Sequence, residues 1–353
     1  MPPLLSPLRK FLYISPSSRY NKIKSFYNRK GAISMEKPVI GIIGVGMIGN
    51  STAVLTTMHG CRTICYARSE HKIPQYRAGF DRMYQEMITQ GILTEDQANL
   101  CGTYLEYATS YEGLKDCDVI FEAIAEDLEQ KKTCYANLER CCPQLKVIGS
   151  CSSSILADAL AGAADKYADR IIVTHPFFPV HMIPYFELCI AEKTDEQAVT
   201  YAMDVLKFLD RKPVLLKKPN PGFIGNYLQF ALWAAALKLV EDGICDPEDI
   251  DTCLNYSFCP RYTSIGIFQH FDNGGYMLNR STCDSVFPIL PRYDAAPPTI
   301  VEKAESPDCW GARAPGKKGF YDWNDVDMVA YQKKVNAPYW RFIDWELPTE
   351  PKK

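Results

Sequence analysis

The chain has 353 residues, 47% hydrophobic and 23% charged, with a formal net charge of -3. That length accommodates two packed domains of ordinary globular composition, and the mild acidity excludes a global attraction to nucleic-acid phosphates. No run approaches the ~20 apolar residues of a membrane-spanning helix, and neither the fourteen cysteines nor the five histidines show metal-ligand spacing, so no metal, membrane or nucleic-acid partner is expected.

Residues 1–34 carry Arg9, Lys10, Arg19, Lys22, Lys24, Arg29 and Lys30 and no acid. This is the composition of an organelle transit peptide, with mitochondria the destination if the leader is a genuine one. The alternative is that Met35, directly ahead of the first strand, marks the natural start. The cysteines, without a CxxC pair or secretory leader, favour a reducing, cytoplasmic setting. The expected organisation is a basic, disordered leader over 1–36, a dinucleotide-binding domain over 37–218, a helical domain over 219–330 and a tail over 331–353.

Pro38 to Ile43 is a short, continuously apolar run, as in a parallel strand buried on both faces. A helix is predicted from Ile48 to about Met58, and a second strand over Arg62–Tyr66. Tyr76–Gln90 has helical periodicity, and Thr94-Glu95-Asp96-Gln97 opens another helix with a capping signal. This pair is expected as a hairpin hanging off the sheet. Further strands are predicted at Asp118–Phe121, Lys146–Gly149, Arg170–Val173, Tyr185–Leu188 and Lys212–Leu216, mostly separated by helices. The expected fold is therefore α/β, a doubly wound parallel Rossmann-type sheet, followed by an all-α domain. Lys217–Gly222, with two prolines and a glycine, marks the boundary. Beyond it lie a long apolar helix from Phe223 to Asp242 and a helix start at Pro247, whereas Asp272 to about Pro307 shows little periodicity. The long helix carries Leu228, Phe230, Leu232, Trp233, Leu237 and Leu239, more than one stripe against a small core needs, so a homodimer through this domain is expected.

Gly44-Val45-Gly46-Met47-Ile48-Gly49 follows a strand and opens a helix. Gly44 permits the tight turn, Gly46 admits the pyrophosphate to the backbone, and Gly49 lets helix and strand pack closely. The N–H groups of the helix start, around Met47 and Ile48, face the phosphates with the positive end of the dipole. At the end of the second strand, where an acid would bind the ribose of NAD, stands Ala67, followed by Arg68 and Ser69. NAD or NADP is thus the expected cofactor, with Ala67 and Arg68 leaning to NADP unless Arg68 is a solvated surface residue.

Two strand ends carry polar chemistry: Ser150-Cys151-Ser152-Ser153-Ser154 and Thr174-His175-Pro176-Phe177-Phe178-Pro179. Oxidising an alcohol needs a base as the hydride leaves carbon, and His175 suits that near neutral pH. Glu187, on the next strand, is placed to orient the imidazole.

With these motifs, together with Glu122-Ala123-Ile124-Ala125-Glu126, Lys131, Phe186-Glu187-Leu188 and Pro221-Gly222-Phe223-Ile224-Gly225-Asn226, the sequence resembles the L-3-hydroxyacyl-CoA dehydrogenases, including their lambda-crystallin and gulonate dehydrogenase branch. The likeness runs from about Pro38 to Trp323. It implies His175 as general base, Glu187 as its orienting carboxylate, Ser153 beside the reacting oxygen, Asn226 in the substrate site, and Glu126 and Lys131 near the cofactor ribose. Departures are Cys151-Ser152 for the usual Asn-Thr, Phe178 for an asparagine, Tyr227 for an arginine and Ala67 for an acid. Arg261, followed by Tyr262, matches a pair of the free-acid branch and offers a guanidinium to a substrate carboxylate, its alternative being a surface arginine. The implied activity is hydride transfer at the 3-hydroxy/3-keto carbon of an acyl-CoA, with a free 3-hydroxy acid of gulonate or carnitine type as the alternative substrate. A silent, crystallin-like dinucleotide-binding protein is the non-enzymatic alternative.

Overall fold

The computed structural model describes residues 35–274, 276–306, 317, 319–343 and 346–352. The basic leader lies outside the described residues. The chain forms two compact units, one made of 35–223 with the returning segment from Gln332, the other spanning Ile224–Tyr331.

The first unit is built on an eight-stranded sheet in the order β3-β2-β1-β4-β5-β6-β7-β8. These strands are Ile40–Ile43, Thr63–Tyr66, Leu105–Ala108, Val119–Glu122, Val147–Ser150, Ile171–Pro176, Tyr185–Ile190 and Lys212–Leu215, taken as β1 to β8 in chain order. Its helices are α1 (Met47–Met58), α2 (Ile73–Thr89), α3 (Glu95–Gly102), α4 (Leu128–Cys141), α5 (Ala157–Gly162) and α6 (Glu196–Phe208).

The central strands are apolar throughout because both faces are covered. Alternation divides their side chains: Ile40, Ile42, Val119, Phe121 and Ile172 join one core with residues of α1, α2, α3 and α6, while Ile43, Ile120, Ile148, Ile171 and Val173 join another with α4 and α5. Strand order reverses at β1, whose neighbours are β2 and β4, both parallel to it. The switch point is therefore the crevice at the carboxyl ends of β1 and β4, where doubly wound sheets bind ligands.

Three details differ from the sequence-based expectation. The sheet is not wholly parallel: β7 runs antiparallel to β6, because the short connection 177–184 contains no crossover helix. An edge strand, β3, pairs with β2; with only Leu105 and Tyr107 as large apolar residues it lacks a buried-strand signature. The hairpin of α2 and α3 does not hang free but packs on α1, burying Phe80, Tyr84, Met87, Ala98 and Cys101, with a 2.9 Å hydrogen bond between the Thr57 and Tyr84 hydroxyls. The capping box that opens α3 is present, Thr94 accepting from the Gln97 amide at 3.2 Å.

The returning segment closes on the first unit, with Trp340, Ile343 and Leu347 packed against its core and the Tyr104 hydroxyl donating to the Glu350 carbonyl at 2.7 Å. Those residues are thus part of the dinucleotide-type unit. The second unit is helical, with α7 (Gly225–Glu241), α8 (Pro247–Tyr256), α9 (Cys259–Tyr262), α10 (Ile267–Gly274), α11 (Tyr276–Val286) and α12 (Pro298–Glu305). A last helix, α13 (Met328–Asn336), spans the return between units.

Candidate active site

At the switch point the backbone turns sharply after β1. Gly44 has φ +96°, and a Cβ there would lie 2.4 Å from the Ala123 carbonyl; a Cβ on Gly49 would lie 2.1 Å from the Gly44 oxygen. Both positions are closed to any side chain by the fold itself. Gly46 differs, because a Cβ there would meet nothing within 4 Å. It borders open space at the start of α1, a helix with no acid in its first turn and no side-chain cap. Unpaired amides, a positive dipole end and room at Gly46 fit a dinucleotide pyrophosphate. Met47 at that start is 65% exposed, with Ile48 half-buried behind it. Ala67 is buried just past β2, and Arg68 is exposed beside it.

The next strand end, at β4, holds an ionic cluster. Glu122 is completely buried and accepts four hydrogen bonds: from Lys131 Nζ (2.7 Å) and the Ile124 amide (3.0 Å) at Oε1, and from the Ser150 (2.8 Å) and Tyr135 (3.1 Å) hydroxyls at Oε2. Such saturation is what allows a carboxylate to remain charged away from water. Lys131 is itself 1% exposed and lies 3.9 Å from Glu126. Glu126 in turn accepts from the Ser153 amide (2.6 Å) and the Ser152 hydroxyl (3.0 Å). The structure therefore gathers Glu126, Lys131 and Ser153 at the ends of β4 and β5. Lys131 spends its charge on Glu122 beneath that rim, and Ser153 stands exposed upon it.

The antiparallel turn from β6 to β7 has a direct consequence: it sets His175 opposite Glu187 in register. The imidazole Nδ1 lies 2.9 Å from Glu187 Oε2, with the histidine 5% and the glutamate 0% exposed. A carboxylate only accepts, so Nδ1 carries a proton and donates it, which leaves the lone pair of a neutral ring on Nε2. Phe177 and Phe223 pack their rings 5.4 and 5.2 Å from the imidazole. The Tyr185 hydroxyl donates to the other carboxylate oxygen, Oε1, at 3.1 Å.

A second buried histidine tests this assignment. His181 Nδ1 accepts from the Ser51 hydroxyl at 2.8 Å, while Ser51 receives the Val180 amide at 2.7 Å. Burial, aided by the positive charge of Arg211, pushes the His181 pKa down to about 3. It is a neutral structural group near pH 7, bonded to a serine hydroxyl where His175 faces a carboxylate.

Asn226, in the first turn of α7, is half-buried, and Arg261 is exposed with its guanidinium donating to His270 Nε2 at 3.1 Å; both belong to the second unit. Sequence reasoning missed Tyr185 and Tyr135, and named Ser150 only as part of a polar strand end. Only Tyr185 had a signal, its i, i+2 spacing from Glu187 on one strand. A cavity of about 720 Å³ is lined by Lys37, His59, Tyr104, Asp210 and residues 346–352, none of which belongs to this cluster. Among the described residues no cluster of three or more potential metal ligands occurs, and no helix is long and apolar enough to cross a membrane.

A glycine turn at a switch point, with a buried histidine–carboxylate pair on the same strand-end edge, defines a dinucleotide-dependent dehydrogenase of Rossmann type. Residues 39–219 match the description 3-hydroxyacyl-CoA dehydrogenase, NAD binding domain, and residues 222–323 match 3-hydroxyacyl-CoA dehydrogenase, C-terminal domain. The chain belongs to the 3-hydroxyacyl-CoA dehydrogenase family. It is 28% identical over 236 residues to an L-carnitine dehydrogenase of Mesorhizobium japonicum, a match covering 66% of this chain and 63% of that protein. It is 27% identical over 267 residues to the 5-formyl-3-hydroxy-2-methylpyridine 4-carboxylate 5-dehydrogenase of the same organism, covering 76% and 85%. A solved structure of a dehydrogenase with that substrate name, described as an NAD+ dependent dismutase, shares the fold with a TM-score of 0.76 at 24% identity, covering 87% of this chain and 97% of the other.

Proposed function

We propose that the chain oxidises the 3-hydroxyl of an acyl-CoA or carboxylic substrate, reversibly, with His175 as general base. The 2.9 Å pairing of His175 with Glu187 at the strand-end edge that carries the glycine turn is the observation that carries this reading. A nicotinamide dinucleotide held by its pyrophosphate at that turn would supply the hydride acceptor. His175 Nε2 takes the hydroxyl proton, and Glu187 stabilises the imidazolium that forms. In the reductive direction the same imidazolium returns the proton to the new alkoxide. Ser153 serves the substrate oxygen, and Glu126 with Lys131 shapes the rim beside the ribose; in the second unit, Asn226 is proposed as a substrate residue on the family resemblance.

NAD is the dinucleotide that the matching family description names, and NADP is the proposed alternative, because exposed Arg68 follows Ala67 where an acid would bind the ribose. A free hydroxy acid is the second reading of the substrate, favoured by the carnitine dehydrogenase relative and by the guanidinium of Arg261. The chain is proposed to act as a homodimer through α7, on which Tyr227, Leu228, Phe230, Leu232, Trp233 and Leu239 are exposed.

A paired screen of 3-ketoacyl-CoA thioesters against free 3-keto and 3-hydroxy acids, with each dinucleotide, tests the proposal. Turnover on either class supports it and selects the branch; no turnover on any member of both classes contradicts it.

A further inference from the structure

We infer that Tyr185 is a positioning residue of the proton-transfer pair, fixing the Glu187 carboxylate so that His175 is held in one tautomer and one orientation. This rests on the reading of His175 as the base.

The backbone supplies the geometry. Tyr185 and Glu187 are two residues apart on β7, so their side chains stand on the same face, and Glu187 is opposite His175 on β6. One carboxylate therefore receives two donors on separate oxygens, Nδ1 of His175 on Oε2 at 2.9 Å and the phenol of Tyr185 on Oε1 at 3.1 Å. A donor on each oxygen restricts rotation of the carboxylate about its terminal bond, and with it the turning of the imidazole.

The phenol is itself fixed. Its ring lies 5.8 Å from that of Phe177, which lies 5.4 Å from the imidazole, so Tyr185, Phe177 and His175 brace one another around the carboxylate. Burial, and then the negative charge of Glu187, push the Tyr185 phenol well above its ordinary range, which keeps it a neutral donor at every pH where the enzyme works.

Two consequences follow from a phenol that shares the carboxylate charge. Removing it leaves Glu187 more basic toward the imidazolium, so the pKa seen in the acid limb of kcat/KM rises. It also loosens the imidazole, so kcat falls at the optimum. Tyr185→Phe keeps ring and packing and deletes only the donor. The expected result is a kcat lowered about 10-fold, as for lost partners that orient a ligand histidine, and an acid limb moved up by roughly half a pH unit. Replacing Tyr185 by 3-fluorotyrosine, a stronger donor, moves the limb down instead and gives a second reading should the phenylalanine variant fold poorly. In the Glu187→Gln background, Tyr185→Phe should cost less than about 2-fold, because the charge it served is gone.

An unshifted acid limb in both Tyr185 variants, or costs that multiply independently in the double variant, overturns the inference. Retained turnover in His175→Ala overturns the prior reading of the base instead, so the two failures are distinguishable.

Discussion

His175 and Glu187 are cross-strand neighbours in the one antiparallel ladder of an otherwise parallel sheet. In a parallel pair, the strand end that carries the histidine would face another strand's carboxyl end. The reversal instead brings a residue near the start of β7 to the chemistry and holds it by backbone pairing rather than by a loop. Glu187→Gln preserves shape and removes charge. Its side-chain amide can present a donor to Nδ1 and favour the wrong tautomer, so turnover should fall at least about 10-fold with dinucleotide affinity unchanged. Steady-state kinetics beside cofactor titration reads both.

Two glycines of the turn should separate in their effects. Gly46→Ala faces open space, so it should fold normally yet weaken dinucleotide binding by about 10-fold or more. Gly49→Ala forces a methyl against the Gly44 carbonyl and should cost about 1–3 kcal/mol of stability. Thermal unfolding and fluorescence titration of the two variants distinguish a binding glycine from a packing one.

Lys131 offers a test of structural against cofactor duty. Because its ammonium and Glu122 are both buried and paired at 2.7 Å, Lys131→Met strands a carboxylate and should lower stability by about 3–5 kcal/mol in urea unfolding. Full stability with weakened dinucleotide binding would assign Lys131 to the ligand alone.

Cofactor preference is expected to follow Arg68. Arg68→Ala should weaken NADPH about 10-fold and leave NADH unaffected, a difference of about 1.4 kcal/mol for a charge-assisted contact. Equal or tighter NADH binding by the unsubstituted protein would remove the argument from Ala67 and Arg68.

His181 should impose a pH dependence on folding. Its native pKa of about 3 lies below the ~6.5 of an unfolded histidine, so between those values the unfolded chain binds a proton that the folded chain refuses. The stabilisation is complete above ~6.5 and declines as pH falls, by up to about 1.4 kcal/mol per unit. His181→Gln should flatten that part of the unfolding profile relative to the unsubstituted protein.

The sequence displayed what depends on short-range pattern. The Gly44–Gly49 turn, the apolar strands around it and the Thr94–Gln97 capping box are each local rules, and each is present in the fold. What depended on pairing direction was hidden. Tyr185–Leu188 reads equally well as a parallel or antiparallel strand, so the opposition of Glu187 to His175 and the role open to Tyr185 appear only with the register. β3 was invisible because an edge strand needs only one apolar face. The burial of Lys131 was hidden because lysine is ordinarily a surface residue, and its partners come from Glu122 on β4 and, through the same carboxylate, Ser150 on β5. The returning segment from Gln332 gave no sign that it would pack on the first unit rather than trail from the second.

The most direct measurement is turnover of His175→Ala, with dinucleotide affinity recorded on the same preparation. A general base at this position predicts a fall in kcat of ~100-fold or more with cofactor binding intact. Unchanged turnover, in protein that still binds the dinucleotide, would show that the proton leaves by another route.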